Sequence, residues 1–278
     1  MNKLFALVIL LTVICRAQSP PPQVAGYNLV FSDDFTSLNL SPNSLGNYTW
    51  YNPGMWWQGA APYPNYSSTN SVAQLLWTNG QSPANTSIST CALDASYCRT
   101  WQHGYFEARM RFDVVTGAWP AFWMIPKEGH NNAQEQGEWD IMEAQGQEWY
   151  QVHIHDWVNG SNNSCGYQYN PPTGVNLVDM HVYGMLWTPA SGSTGPQMKF
   201  YFDDNLIYTC TMAINSTIDS QNYFIIIGSQ EGVNWSYGNL MGVTANTIAT
   251  NVDWVHVWQE RGTTSLPAHP TGLAATVH

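Results

Sequence analysis

Apolar and polar side chains alternate along most of this chain with a period of two. In "HGYFEARMRFDV", Phe106, Ala108, Met110 and Phe112 fall on one face and Glu107, Arg109 and Arg111 on the other. "QMKFYFDD" sets Met198, Phe200 and Phe202 against Lys199, Tyr201 and Asp203, and Asp204-Asn205 predicts a turn into "LIYTCTM". "NVDWVHVW" places Val252, Trp254, His256 and Trp258 on one side. Successive side chains of a strand point to opposite faces, so these runs predict half-buried strands. No long capped segment of period 3.6 and no internal repeat interrupts them. Many short strands, broken by Pro, Gly and Asn, predict an all-β fold: a sandwich of two antiparallel sheets without helices. One domain is expected over 27–260, after an extended lead-in at 18–26 and before a loose tail at 261–278.

Residues 1–17 stand apart from this pattern. A short positive start, an apolar run from Phe5 to Cys15 and the small-residue end Cys15-Arg16-Ala17 predict a secretory signal, too short to span a membrane. Its removal would leave six basic against 19 acidic residues, a net charge of −13. Such a chain repels nucleic acid and anionic membrane surfaces and suits a neutral or cationic partner. Cys91, Cys98, Cys165 and Cys210 remain, an even number that allows three disulfide pairings in an exported protein. The hairpin-like loop between Cys91 and Cys98 favours that pair, and leaves Cys165 and Cys210 as a second pair or as buried thiols. Eight Asn-x-Ser/Thr sequons begin at Asn39, Asn47, Asn65, Asn85, Asn159, Asn162, Asn215 and Asn234, and count only in a host that glycosylates them.

The chemistry concentrates in "GEWDIMEAQG", which holds three carboxylates within six residues. On a strand, Glu138 and Asp140 share a face while Trp139 and Ile141 face the other way. Glu143 lies an odd number of residues from Glu138 and would point away. One inserted residue, a β-bulge around Ile141-Met142, restores the parity and gathers all three carboxylates. Carboxylates so gathered cannot all stay ionised, and an acid beside a base or nucleophile is what glycoside hydrolysis needs. Parity does not decide which glutamate attacks, and an exposed acidic face binding a cation is the other reading. Upstream, "GAWPAFWMIP" offers Trp119 and Trp123 as flat faces for sugar rings, the alternative being two core tryptophans. His153-x-His155 could hold a metal on one strand face, but no third ligand of matching spacing is present, so no metal is expected there.

These segments resemble family-16 glycoside hydrolases. "GEWDIMEAQG" is similar to the family's catalytic signature in its bulged form, Glu-x-Asp-x-x-Glu. "FSDDF", "WQHGYFEARMRF", "GAWPAFWMIP", "VHIHDW", "MHVYGMLWTP", "KFYFDDNLIYT" and "NVDWVHVW" follow the family's order over roughly Tyr27 to Glu260. The resemblance implies a concanavalin A-like β-jelly-roll with a concave substrate cleft and a retaining double displacement. It assigns Glu138 as nucleophile, Glu143 as general acid/base and Asp140 as the helper between them, with no cofactor required for catalysis. Trp119, Trp123 and His155 match positions that line the cleft, and Trp235 resembles a sugar-stacking tryptophan of the laminarinase-like branch. The Gly-Gly common before that tryptophan is Val233-Asn234 here, which leaves Gln230 and Glu231 as specificity candidates. A structural calcium is also implied, with Asp253 as its carboxylate and Asp34 as a contributor.

The bulged signature is shared by laminarinase-like, agarase and carrageenase branches, and "WPAFWMIP" most resembles the first. Few Arg and Lys residues disfavour a sulfated substrate. The expected function is a secreted, monomeric endo-hydrolase of β-1,3-linked glucan. A galactan-directed relative or a non-catalytic carbohydrate-binding protein is the alternative.

Overall fold

The alternation resolves into two stacked sheets in a computed structural model, which describes residues 19–41, 43–52, 65–80, 85–128, 135–230, 233–234, 239–240, 242–243 and 245–262. The outer sheet runs β14 (Asn205–Cys210), β13 (Gln197–Phe202), β12 (His181–Thr188), β7 (Gly104–Phe112), β18 (Thr247–Glu260), β5 (Val72–Thr78) and β4 (Tyr66–Thr69). The strand β1 (Tyr27–Asp33) also pairs with β18. The cleft sheet runs β11 (Ser161–Tyr169), β10 (Tyr150–Val158), β9 (Glu135–Ala144), β8 (Ala121–Pro126), β15 (Tyr223–Gln230), β6 (Asn85–Ser89), β3 (Trp50–Tyr51) and β2 (Leu40–Ser41). A two-strand pair, β16 (Val233–Asn234) with β17 (Asn239–Leu240), stands apart. Pairing is antiparallel except between the short β2 and β3.

One face of each sheet supplies the core. Phe106, Ala108, Met110 and Phe112 of β7 join Met198, Phe200 and Phe202 of β13, as the period predicts, and meet Phe122, Met124 and Trp139 of the cleft sheet. Burying each large apolar side chain contributes about 1.5–3 kcal/mol. Trp139 stacks on Tyr223 at 4.7 Å between ring centres, and Trp187 meets both rings edge-on. The strand that carries the carboxylates is thus anchored through the tryptophan lying between two of them. Gly137, next to Glu138, is a point of close approach: a Cβ there would run into the Tyr223 hydroxyl and the Ile218 side chain.

Several expectations change. Val252 faces the core as expected, but Trp254, His256 and Trp258 do not share its face. Met110 pairs with Val252 and Arg109 with Trp254, so Asp253 is an inserted residue that reverses the parity. Val255 and Val257 enter the main core instead, and Trp254, His256 and Trp258 turn to the sheet's other face. That face is not simply polar. Glu107 is only 4% exposed there, accepting a hydrogen bond from Trp258 Nε1 at 2.7 Å with His256 Nδ1 at 3.3 Å. A single helical turn, Ser216–Asp219, breaks the all-strand expectation, and Asn215 caps it by accepting the Thr217 amide. In the lead-in, Pro22–Val24 form a 3₁₀ turn instead of extended chain, with Val24 packed against Tyr105 and Trp258. Residues 1–18 and 263–278, which hold the expected signal and most of the tail, lie outside the described residues.

Both cysteine pairs are bonded. Cys91–Cys98 closes its short loop as expected. Cys165–Cys210 is a second disulfide, not a pair of thiols, and it ties β11 of the cleft sheet to β14 of the outer sheet across 45 residues of chain. Closing a loop of that length removes unfolded-state entropy worth about 4 kcal/mol. Replacing Cys165 and Cys210 together by Ser is expected to cost about 2–4 kcal/mol in denaturant-unfolding free energy, more than the same change at Cys91 and Cys98. Gly137→Ala is expected to cost about 1–3 kcal/mol by overpacking, read as a lower thermal midpoint.

Candidate active site

The site starts from an irregularity in β9. On one side Glu143 pairs with Gln151 and Asp140 with His153; on the other Met142 pairs with Phe122 and Asp140 with Trp123. Two residues, Ile141 and Met142, therefore stand where the neighbouring strand β10 has one, which is the bulge expected from parity. Trp139, Ile141 and Met142 are all buried in the core. Glu138, Asp140 and Glu143 consequently face the same way, into a cleft of about 550 Å³.

Each carboxylate has a different surrounding. Glu143 Oε1 accepts a hydrogen bond from Trp119 Nε1 at 2.6 Å, and His153 Nδ1 lies 4.0 Å from its other oxygen. The Trp119 amide is itself held by the Gln230 carbonyl at 2.8 Å, which fixes the segment before β8. Asp140 is the deepest of the three, 5% exposed, with His155 Nε2 at 3.5 Å. Glu138 pairs across the ladder with His155. Burial followed by repulsion from Glu143 pushes the Glu138 carboxyl up to about 8. Asp140 is raised well above the usual carboxylate range by burial and then by both glutamates. Burial also raises Glu143, with the Trp119 hydrogen bond opposing it. At neutral pH the cluster therefore retains protons, as an acid–nucleophile set requires.

The cleft walls come from the same strand alternation. Trp119, Trp123, His155 and Gln230 all line it. Glu231 and Trp235 lie outside the described residues. Five further lining residues are not among the sequence-based binding candidates: Ala121, Gln151, His153, Trp157 and Asn162. Three of these are legible in the pattern, because Gln151, His153, His155 and Trp157 occupy alternate positions of β10. His153 and His155 stack at 5.3 Å, and His155 and Trp157 at 4.8 Å, forming a flat row beside the carboxylates. Asn162 has no such signal, since it arrives from β11 through strand pairing.

The residues proposed for calcium do not fit one. The Asp253 carboxylate is paired with the Arg109 guanidinium, and Asp34 Oδ1 accepts the Thr36 amide at 3.2 Å. Calcium needs six to eight oxygens, and here an arginine already neutralises the carboxylate it would use.

The match to a known family spans most of this architecture: the model of "Glycosyl hydrolases family 16" matches residues 63–255. The chain belongs to glycosyl hydrolase family 16. Among curated relatives, glucan endo-1,3-beta-glucosidase A1 of Niallia circulans is 25% identical over 86% of this chain. This chain covers only 39% of that relative's length. The solved catalytic domain of an endo-1,3-beta-glucanase (laminarinase) from Thermotoga petrophila superposes with a TM-score of 0.64 at 18% identity, covering 84% of this chain and 98% of that one. A GlcNAcα1-4Gal releasing endo-β-galactosidase from Clostridium perfringens has the same fold, with a TM-score of 0.63 at 21% identity, covering 88% and 66%. The family-16 fold thus carries more than one sugar specificity, and the details of the cleft must separate them.

The raised carboxyls have a measurable consequence. A buried acid whose folded pKa lies above its unfolded value costs nothing below about 4.5, and its cost grows until the pH passes the folded value near 8. Glu138→Gln removes that cost. The variant is expected to gain on the wild type by roughly a few kcal/mol as pH rises from 4.5 to 8, with no gain below that range, as read by thermal melts across pH.

Proposed function

We propose that this chain is an exported, retaining endo-glycoside hydrolase that cleaves β-1,3-linked glucan. The observation that carries the reading is the bulge in β9, which gathers three carboxyls with raised proton affinity at the floor of a cleft walled by tryptophan and histidine. In the first step a Glu138 carboxylate oxygen attacks the anomeric carbon. The glycosidic C–O bond breaks, and the leaving oxygen takes a proton from Glu143. In the second step the Glu143 carboxylate takes a proton from water, whose oxygen attacks the same carbon and releases Glu138. Asp140, kept neutral by burial, can donate a hydrogen bond to an ionised Glu138 and hold it in its charged form. Burial and repulsion raise Glu138 as well, so the reaction requires substrate binding to leave Glu138 ionised and the proton on Glu143.

Trp119, Trp123 and Trp157 give the sugar flat apolar surface, and Gln151, Asn162 and Gln230 give it polar partners. Among the described residues no lysine or arginine lines this cleft, which supports a neutral glycan over a sulfated one. Glu231 and Trp235 are proposed to take part in sugar binding, as the resemblance implies. Two disulfides, and an apolar leader read from the sequence, support export. Among the described residues no helix is long and apolar enough to cross a membrane. A monomer is sufficient for the chemistry, since one chain supplies all three carboxyls.

Reducing-end release from laminarin, mixed-linkage β-glucan, agarose and carrageenan tests the reading. Laminarin is expected to be cleaved, with Glu138→Gln slower by about a thousandfold or more while laminarin binding, measured by calorimetry, survives. Cleavage of agarose or carrageenan alone would transfer the mechanism to a galactan. Binding without cleavage of any of the four would favour a carbohydrate-binding protein.

A further inference from the structure

The row of β10 rings and the deepest carboxylate meet in a way the proposed hydrolysis does not use. Two histidines alone make a poor metal site, and the chain near them offers no third ligand. Strand pairing provides it, because His153 stands directly opposite Asp140 across the β9–β10 ladder. One ligand atom each from Asp140, His153 and His155 lies within 4.8 Å of the others. Four-coordinate zinc, with bonds of about 2.0–2.1 Å, needs ligand atoms roughly 3.3–3.5 Å apart. The His155 Nε2–Asp140 Oδ2 pair is already at 3.5 Å, and side-chain rotation of about 1 Å would bring in the third.

The surroundings hold both rings ready to coordinate. Asn162 Oδ1 lies 3.4 Å from His155 Nδ1; with that oxygen accepting from Nδ1–H, Nε2 keeps its lone pair toward Asp140. The other edge of His153 rests on Gly166, where a Cβ would strike the ring, and its Nδ1 has no hydrogen-bond partner. Two imidazoles and the Asp140 carboxyl, which gives up its proton to bind an ion, with the remaining direction open to the cleft, form a donor set for zinc or copper, not for calcium.

We propose that Asp140, His153 and His155 form a binding site for one divalent transition-metal ion of the zinc and copper class. An ion there occupies cleft space and withdraws Asp140 from Glu138, so metal and glycan exclude each other. Metal binding does not depend on the hydrolase reading, whereas inhibition does.

Titration calorimetry with zinc chloride, and visible absorption with cobalt(II) as a spectroscopic substitute, test binding on the full chain. The expected result is one ion per chain and an intense four-coordinate cobalt band. Affinity should fall at least about tenfold in His153→Gln and in His155→Gln, and by about tenfold in Asn162→Ala. His181→Gln, at a separate His–Asp contact, serves as the control and should bind like wild type. Laminarin should reduce the cobalt band, and micromolar zinc should slow any glycan cleavage. Absence of one-to-one binding, or binding undiminished in whichever of the two histidine variants folds, would overturn the proposal. Tight zinc binding with no glycan cleavage would leave the metal site standing and count against the hydrolase reading alone.

Discussion

A strand offers side chains to its two faces in strict alternation, and β9 must place three carboxyls on one face within six residues. Regular geometry forbids this, because Glu138 and Glu143 are separated by an odd number of positions. The bulge at Ile141-Met142 removes the conflict with one extra residue. It also allows Trp139, Ile141 and Met142 to be buried together, so the core loses no apolar contact. Packing of those side chains fixes the backbone that aims the acids. Stability and chemistry therefore use the same distortion, and neither can be altered without the other.

Three acids forced together in a half-dry cleft define its electrostatics. Burial raises all of them, and repulsion adds to the effect at Glu138 and Asp140. Trp119 counters it at Glu143 with an indole hydrogen bond, making the two glutamates unequal. The neighbouring histidines are driven the other way, toward the neutral form. A neutral imidazole pair beside a carboxylate serves equally as a sugar-facing wall or as a ligand set.

A second bulge, in β18, has a different effect. The extra residue there is Asp253, whose carboxylate pairs with Arg109 on the adjacent strand. An internal guanidinium thus satisfies a carboxylate that the resemblance assigned to calcium. The same insertion moves Trp254, His256 and Trp258 out of the main core and builds a buried cluster around Glu107 on the far side of the sheet. Both faces of the outer sheet are consequently well packed near β7 and β18.

The primary sequence by itself determined the fold class, the strands of β7 and β13, the bulge in β9, the carboxyl triplet and the Cys91–Cys98 loop. All of these rest on local rules: side-chain period, parity and short-range chain geometry. A charged triplet has one arrangement that keeps its apolar neighbours buried, so the bulge is legible in the spacing of the carboxylates alone. The bulge at Asp253 is not, because "NVDWVHVW" alternates acceptably in either register and only pairing with β7 and the rest of the core decides between them. Tertiary structure alone joined Cys165 to Cys210, brought Asn162 to His155 and set Asp140 opposite His153. Each of these links residues on different strands, and strand register is a property of the assembled sheet, invisible to spacing along the chain.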